Sequence, residues 1–261
     1  MAPNPYYPTP RDLPPSSARK ILDGLLNLVY PDQCFICSTP VARRQDCGIC
    51  DRCWGKAIEL KIRPPRCSSC GLPFHSFQEG SEYLCSHCML KIPPYSGARA
   101  FGYYAAELSG MIQAFKFQGR RNLASLLTPL LARAFFENWN REDFDGLVPI
   151  PLHAKRRRER GYNQSELLAR SLACQIALPC LSGFERTRAT IPQVGLSDLQ
   201  RHENVHTAFR CGDARSIAGK RILLIDDVMT TGATVASAAK TLMNEGALRV
   251  SVLTVARVDK W

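Results

Sequence analysis

The stretch ILLIDDVMTTGAT, residues 222 to 234, decides the fold. Its four apolar residues, 222 to 225, are typical of a short buried strand, and two acids and a bend rich in Thr and Gly follow directly. The next segment, TVASAAKTLMNEG (234–246), has the apolar spacing of a helix that ends at Gly246. A strand, a small-residue turn and a helix in this order indicate an α/β sheet, whose ligands bind beyond the carboxyl ends of the strands.

The bend and the acids have the composition of a sugar-phosphate site. Thr230 to Thr234, with Gly232 among them, can turn successive amides toward a phosphate beside a helix N-terminus, where the helix dipole also favours an anion. Asp226 and Asp227 can accept hydrogen bonds from vicinal hydroxyls and help to hold a hydrated Mg2+. A helix-capping role would account for only one acid. No G-x-x-x-x-G-K-[ST] or G-x-G-x-x-G follows a strand, which excludes the P-loop and dinucleotide-binding classes.

Strand and helix patterns alternate through the chain after Pro93-Pro94. Predicted strands lie at 98–104, 145–151, 222–225 and 249–257, and predicted helices at 109–117, 123–139, 163–177 and 234–246. Strands separated by crossover helices favour a parallel, doubly wound sheet, so we expect an α/β domain in this part of the chain.

Cysteine is concentrated before that domain. Of the twelve cysteines, nine lie between Cys34 and Cys88, and eight of these form the pairs CFIC (34–37), CDRC (50–53), CSSC (67–70) and CSHC (85–88). Two C-x2-C turns complete one tetrahedral four-thiolate site, which is closed to water and therefore structural. We predict two structural zinc ions, with the ligands Cys34, Cys37, Cys50 and Cys53 for one and Cys67, Cys70, Cys85 and Cys88 for the other.

Other ligands and other cysteine chemistry are less favoured. Cys47 pairs with Cys50 as readily as Cys53 does, although the helix-like stretch after Cys53 favours the second pairing. His75 and His87 could each replace a thiolate, but eight matched cysteines already satisfy two sites. Disulfides do not fit a cytoplasmic protein, and cysteines that only fill a core would not be spaced as repeated C-x2-C pairs.

Charge points to an anionic partner. The 261 residues include 34 Lys and Arg against 23 Asp and Glu, a formal charge of +11, which favours nucleic acid or a phosphorylated substrate. Around the cysteine pairs lie basic and aromatic side chains that could stack bases and neutralise phosphates, or could form only a solvated surface: Arg43, Arg44, Arg52, Lys56, Lys61, Arg63, Arg66, Trp54, Phe74 and Tyr83. No segment approaches the roughly 18 to 20 apolar residues of a membrane span, and the N-terminus has no secretory pattern, so we expect a cytoplasmic protein.

The stretch at 222–234 resembles the phosphoribosyl pyrophosphate (PRPP) motif of type I phosphoribosyltransferases. The resemblance implies that Asp226 and Asp227, the candidate catalytic residues, bind the ribose 2' and 3' hydroxyls. It also implies that the 5'-phosphate lies against the loop that follows, whose candidate binding residues are Val228, Met229, Thr230, Thr231, Gly232, Ala233 and Thr234.

Three further features resemble the narrower ComF family, which joins such a domain to an N-terminal zinc module. VPIPLHAKRRRERGYNQSELLA (148–169) is similar to that family's strand end and R-G-[FY]-N-Q segment, which implies pyrophosphate contacts from the basic run, chiefly Arg156 and Arg160. PQVGLSDLQRHENVHTAF (192–209) resembles its flexible hood, and AFKFQGR (114–120) its K-[FY] stretch. The further candidate site residues are therefore Gln193, Arg201 and Asn204 of the hood and Lys116.

The resemblance implies a three-part chain and two possible functions. A Pro-rich tail (1–20) precedes a double zinc-ribbon module with a leading helix (21–95) and a phosphoribosyltransferase domain (96–261). The first function is a phosphoribosyltransferase of unknown acceptor that binds PRPP and Mg2+, linked to natural competence, to incoming single-stranded DNA and to DNA-uptake proteins. The alternative is a non-catalytic zinc protein that binds single-stranded DNA or RNA and whose PRPP site is a sensor or scaffold. In both, zinc removal is expected to unfold residues 30–95 and spare the sheet.

Overall fold

The computed structural model describes residues 32–41, 47–74, 83–187 and 208–259. The chain divides into two units, Met1–Asp51 and Arg52–Trp261. In the described part of the first unit, the Cys34 amide donates to Thr39 and the Phe35 amide to Gly48, which folds the segment around its cysteines. The predicted tail at 1–20 and the helix predicted just after it lie outside the described residues.

A four-stranded parallel sheet forms the centre of the second unit. Its strands are β1 (Gly97–Tyr103), β2 (Gly146–Pro149), β5 (Arg221–Met229) and β6 (Arg249–Arg257), in the order β1-β6-β5-β2. A separate antiparallel pair consists of β3 (Phe184–Arg186) and β4 (Phe209–Cys211). The segment predicted as the hood connects β3 to β4.

The described residues also form α-helices. They are α1 (Asp51–Glu59), α2 (Ser86–Leu90), α3 (Ala106–Phe117), α4 (Ala124–Phe136), α5 (Ala154–Arg160), α6 (Gln164–Ile176) and α7 (Ala233–Asn244). Short 3-10 turns lie at Arg121–Leu123, Arg141–Asp143 and Ala214–Ser216. Among these helices, none combines the length and the apolar character needed to cross a membrane.

The two central strands are buried on both faces. Residues 222–225 of β5 and 250–256 of β6 are all buried, which is the near-continuous apolar pattern of a parallel sheet covered on each side. Helices α4 and α6 pack against each other and against the sheet, while α7 packs against β5, β6 and β4. The parallel α/β fold predicted from the sequence is therefore confirmed.

Two local differences from the sequence-based prediction concern the site. Strand β5 was predicted to end before the acids, yet it continues to Met229 because its pairing with β6 persists through Asp226 opposite Thr254 and Met229 opposite Arg257. The basic run after β2 forms a helix, α5, that the apolar pattern did not predict. Its ends explain it: the His153 ring accepts from the Lys155 amide, and Gly161 takes the left-handed φ of 74° typical of a C-terminal cap.

Candidate PRPP site and zinc centres

The acid pair lies near the carboxyl end of β5 and is held by two helices. The Asp227 side chain is almost fully buried, and its Oδ1 lies 2.7 Å from the Lys116 Nζ of α3. Asp226 Oδ1 accepts from the Ser165 hydroxyl of α6 at 2.8 Å and from the Asp227 amide at 2.9 Å. The structure thus places Lys116, a candidate site residue, and Ser165 against the acids.

The surroundings of Asp226 act on its ionisation in opposite directions. Burial of the carboxyl and, next, the Asp227 carboxylate raise the pKa of Asp226, whereas Lys116 and the Ser165 hydroxyl lower it; the resulting pKa is about 7. A carboxyl with this pKa gains or loses its proton near neutral pH, so a small change in local charge switches it between hydrogen-bond donor and acceptor.

The turn after the acids leads directly into α7. Gly232 adopts φ 82°, a left-handed conformation, and its carbonyl accepts from the Ala236 amide at 2.8 Å in the first turn of the helix. A Cβ at Gly232 would lie 2.7 Å from Met229 Cε. Thr230 and Thr231 are exposed, and the Thr231 hydroxyl accepts from the Ala233 amide at 3.4 Å. The turn therefore presents the exposed side chains of Thr230 and Thr231 at a helix N-terminus, where anions bind favourably.

A basic cavity adjoins the acids. Its volume is about 580 Å³, and it is lined by Lys116, Phe117, Gly119, Arg156, Glu159 and Arg160. The Arg160 guanidinium lies 4.8 Å from the centre of the Phe117 ring and donates to the Gln164 side chain at 3.2 Å. Burial lowers the pKa of Arg160 and the Asp227 carboxylate opposes this, so the charge of Arg160 acts on the acid pair.

The residues between α5 and α6 fix the position of α6, and so of Ser165, next to the acid pair. Asn163 is buried, accepts from the Ser165 amide at 3.1 Å and donates to the Ile150 carbonyl at 3.0 Å. The Tyr162 hydroxyl donates to the Phe115 carbonyl of α3. These two residues of the R-G-Y-N-Q segment therefore fix the start of α6, and with it Ser165, relative to α3.

Sequence reasoning missed Ser165 and Arg186. Burial lowers the pKa of Arg186, as does the charge of Arg156, while Asp226 opposes both, which indicates a further cation near the acids. Ser165 follows Asn163-Gln164 directly and could have been found from that segment, whereas nothing around Arg186 distinguishes it from other surface arginines. The predicted hood residues, Gln193, Arg201 and Asn204, lie outside the described residues.

Both predicted cysteine groups are assembled. Within each group the four Sγ atoms lie within 4.8 Å of one another; the groups are Cys34, Cys37, Cys50 and Cys53, and Cys67, Cys70, Cys85 and Cys88. The Sγ atoms of Cys37 and Cys50 are 3.6 Å apart, as are those of Cys70 and Cys85. A tetrahedral ion with Zn–S bonds of about 2.3 Å requires about 3.8 Å between sulfurs, so both groups fit zinc.

The alternatives for zinc ligation are resolved where the structure describes them. Cys47 is buried but belongs to neither group, and the exposed His87 is not a member either. His75 lies outside the described residues.

Some basic side chains of the module form contacts within the protein: Lys61 pairs with Glu137 and Arg66 donates to Asn138. These two cations therefore contribute less to a nucleic-acid surface than their sequence positions suggested.

Two family models match the chain. A family model described as a double zinc ribbon domain matches residues 25–89, and one described as a phosphoribosyl transferase domain matches residues 161–260. DNA utilization protein YhgH of Escherichia coli K12 is 33% identical over 237 residues, which cover 88% of this chain and 99% of that protein. Competence protein F of Haemophilus influenzae is 31% identical over 216 residues, covering 80% and 90%.

Among solved structures, a purine phosphoribosyltransferase from Pyrococcus horikoshii aligns with 52% of this chain and 83% of its own length, at 17% identity and a TM-score of 0.31. The relatives from Escherichia coli and Haemophilus align over nearly their whole length, and their matches extend well beyond either family model alone. With both cysteine groups and a phosphoribosyltransferase-like domain in place, the chain belongs to the ComF family.

Proposed function

We propose that this chain binds PRPP, together with Mg2+, at the carboxyl end of β5. The observation that carries the proposal is the continuity of the site along the backbone: the acid pair Asp226 and Asp227 is followed, five residues after Asp227, by a left-handed glycine, Gly232, at the start of α7. This order suits a ribose 5-phosphate, since carboxylates can accept hydrogen bonds from its hydroxyls and the amides at a helix N-terminus can bind its phosphate.

Each end of the ligand has suitable partners. The phosphate would lie against the amides of residues 230–234, and the ribose hydroxyls would donate to Asp226 and Asp227. Arg156 and Arg160 line the adjoining cavity with Lys116, which suits the diphosphate. Magnesium would neutralise part of the diphosphate charge, and the two carboxylates are oxygen ligands of the type it prefers.

The chemistry that such a site supports is displacement at C1 of the ribose. The acceptor nucleophile forms a bond to C1 while the bond from C1 to the diphosphate oxygen breaks, and pyrophosphate leaves with that electron pair. Arg156, Arg160 and Lys116 would stabilise the charge that grows on the leaving group, so the protein contributes positioning and electrostatics. We further propose that Gln193, Arg201 and Asn204 approach the ligand from the hood.

Calorimetric titration with PRPP and Mg2+ tests the proposal. The wild-type chain should bind saturably, and the Asp226→Asn, Asp227→Asn double variant should lose at least about a hundredfold in affinity, because two acceptors for the ribose are weakened together. Glu142→Gln, at an exposed acid outside the site, serves as the charge control. Equal affinity of the double variant and the wild type would refute the site. If binding is found, nucleobases and amines can be screened as acceptors with pyrophosphate release as the readout.

We propose a cytoplasmic role in the handling of incoming single-stranded DNA. Support comes from the names of the relatives, which refer to DNA utilization and to competence. The net charge of +11 is compatible with such a polyanionic partner. Proteins of a DNA-uptake apparatus are the partners that this role would require.

A second candidate function is binding of single-stranded nucleic acid without phosphoribosyl transfer. The observation that favours it is Phe117, whose side chain is 70% exposed at the edge of the basic cavity with Arg160 over its ring. An exposed aromatic ring beside arginines is the arrangement on which bases stack while their phosphates are neutralised. In this case the PRPP site would be a sensor or a scaffold.

Fluorescence anisotropy with a labelled oligonucleotide separates the two functions. Phe117→Leu should weaken single-strand binding by about 1 to 3 kcal/mol, whereas Phe136→Leu, at another exposed phenylalanine, should not. The logarithm of affinity should fall linearly with the logarithm of salt concentration. Loss of DNA binding when PRPP is added would indicate one shared site, and undiminished DNA binding would indicate two.

A further inference from the structure

The second cysteine group is part of the core beneath the sheet. Cys67, Cys70, Cys85 and Cys88 are all buried, and they belong to one hydrophobic cluster with β5, β6 and α7, whose members include Ile222, Leu224, Val250, Val252, Ala238 and Leu242. The alternate residues of β5 and β6 in this set show that the cluster lies on one face of the sheet. The group therefore lies in the same buried cluster as β5, which carries the acid pair and leads into residues 230–234, called here the phosphate loop.

Backbone contacts join the Cys67–Cys70 turn to the edge strand β1. The Ala98 amide donates to the Ser69 carbonyl at 2.7 Å. Gly71 has φ 70°, and a Cβ there would collide with the Ala98 carbonyl oxygen. Because only glycine permits this approach, the turn is fitted closely to the strand and cannot move without disturbing it.

Arg257 connects this cysteine group to the start of the phosphate loop. It is 6% exposed and stands at the end of β6, directly opposite Met229 at the end of β5. Its Nη1 donates to the Cys70 carbonyl at 2.8 Å and lies 3.0 Å from Met229 Sδ, and its Nη2 lies 3.5 Å from Cys70 Sγ. One guanidinium thus contacts both a zinc ligand and the residue that precedes the loop.

The Met229 side chain packs against Gly232 of the phosphate loop. The position of a Cβ at Gly232 lies 2.7 Å from Met229 Cε and 3.7 Å from the Tyr95 hydroxyl. The Met229 carbonyl accepts from the Val258 amide at 2.9 Å, next to Arg257. A shift of Met229 would therefore be transmitted to the backbone of the turn that we propose to hold the phosphate.

Charge explains why Arg257 is placed there. Zinc with four thiolates carries a net charge of about −2, and burial of such a charge is costly unless nearby groups compensate it. The Cys70 and Cys85 amides donate to Cys67 Sγ, and Arg257 adds a full positive charge. Loss of the ion would remove this partner and leave the guanidinium buried beside thiols. Arg257 could then no longer keep both contacts, since desolvation of an uncompensated cation is costly.

We propose that the metal occupancy of the Cys67, Cys70, Cys85 and Cys88 site sets the affinity of the phosphate loop, with Arg257 as the positioning residue that couples the two. The inference rests on the proposed PRPP function and adds a zinc dependence to it. It assigns this role to the second zinc site alone. Coupling of this kind is reciprocal: if zinc strengthens PRPP binding, PRPP must strengthen zinc binding by the same factor.

The first test compares two ligand variants of the full-length protein. Cys88→Ser should reduce the zinc content from two ions to one and weaken Mg-PRPP binding in calorimetry at least about tenfold more than Cys37→Ser does at the other site. Cys174→Ser, at an exposed cysteine of α6 outside both groups, should retain both ions and wild-type affinity. Equal PRPP affinity of the Cys88→Ser and Cys37→Ser proteins would overturn the proposal.

The second test uses the wild-type protein and so does not depend on the folding of a cysteine variant. Zinc release to a chromogenic chelator is followed with and without saturating Mg-PRPP. PRPP should slow the release of one of the two ions and leave the other unchanged. Arg257→Lys keeps a cation but not the forked contact, so it should retain both zinc ions and lose most of the PRPP effect.

The outcomes separate this inference from the function on which it rests. If the wild-type protein does not bind PRPP, the proposed function fails and the coupling fails with it. If PRPP binds but both zinc ions leave at unchanged rates, the PRPP site stands and the coupling is overturned. Retention of the full PRPP effect in Arg257→Lys would overturn the role of Arg257.

Discussion

Asp226 is a single residue whose protonation links the site to the stability of the protein. Its folded pKa of about 7 results from burial and the Asp227 carboxylate, against the opposing effects of Lys116 and Ser165. An aspartate in an unfolded chain has a pKa of about 3.9. Between these two values the folded protein binds the extra proton, so the stability contributed by protonated Asp226 is present at low pH and is lost as the pH rises toward 7.

We therefore expect Asp226→Asn to flatten the pH dependence of stability. Between about pH 5.5 and pH 7.5, the free energy of unfolding of the wild type should fall by about 2 kcal/mol more than that of the variant. Urea unfolding of the zinc-loaded proteins, followed by circular dichroism, measures the difference. Glu142→Gln should keep the wild-type slope, and parallel slopes for wild type and Asp226→Asn would contradict the shifted pKa.

The residues of the site differ in how far the sequence could predict them. The acid pair and Gly232 belong to one continuous stretch, so their chemistry can be recognised from order and spacing. Lys116 was predicted only from the resemblance to a family, and its contact with Asp227 depends on the packing of α3 against the sheet. Arg186 was missed because no local pattern records which distant side chain a fold brings near Asp226.

At the scale of one element, α5 determines which of its arginines serve the cavity. Arg156 and Arg160 are four residues apart and therefore share one helix face, which lines the cavity and leaves both half-buried. Arg158 lies between them in sequence, is exposed and does not line the cavity. The helix thus separates arginines that the sequence alone shows as a single basic run.

This separation predicts unequal effects of three matched variants. Arg156→Gln and Arg160→Gln should each weaken the binding of Mg-PRPP, and of pyrophosphate alone, by about tenfold or more, because each removes a charge-assisted hydrogen bond to the diphosphate. Arg158→Gln removes the same charge from the same helix and should change affinity by less than about twofold. Calorimetry with both ligands provides the comparison. Equal losses in all three would show that only the net charge of the run matters.

The sequence predicts helices and strands best where their apolar side chains are buried in the core. The apolar runs of β5 and β6 and the periodic helices α4, α6 and α7 follow from hydrophobic spacing, since their residues face a core. Helix α5 has no apolar face, and its boundaries depend on caps at His153 and Gly161 that spacing does not register. The extension of β5 through the acids depends on its register with β6, which is a long-range property.

At the scale of the whole molecule, the two cysteine groups differ in their surroundings. The repeated C-x2-C pattern predicted one module that could unfold without the sheet. The structure instead packs the second group into the core formed with β5, β6 and α7, where the Cys67–Cys70 turn contacts β1. A ligand pattern is local and specifies the ion, whereas the core in which the ion is buried depends on the rest of the chain.

Removal of zinc should therefore loosen part of the sheet as well as the ribbons. We expect chelation of both ions to raise amide hydrogen exchange in β1 and in the turn at residues 230–234, because the Ala98 amide loses its partner at Ser69 and Met229 loses its contact with Arg257. In Cys37→Ser, which disables only the first site, the rise should be limited to the segments around its own ligands. Exchange measured by mass spectrometry resolves these segments. Unchanged protection of β1 in the metal-free protein would show that the sheet is independent of both zinc ions, as the sequence pattern alone had suggested.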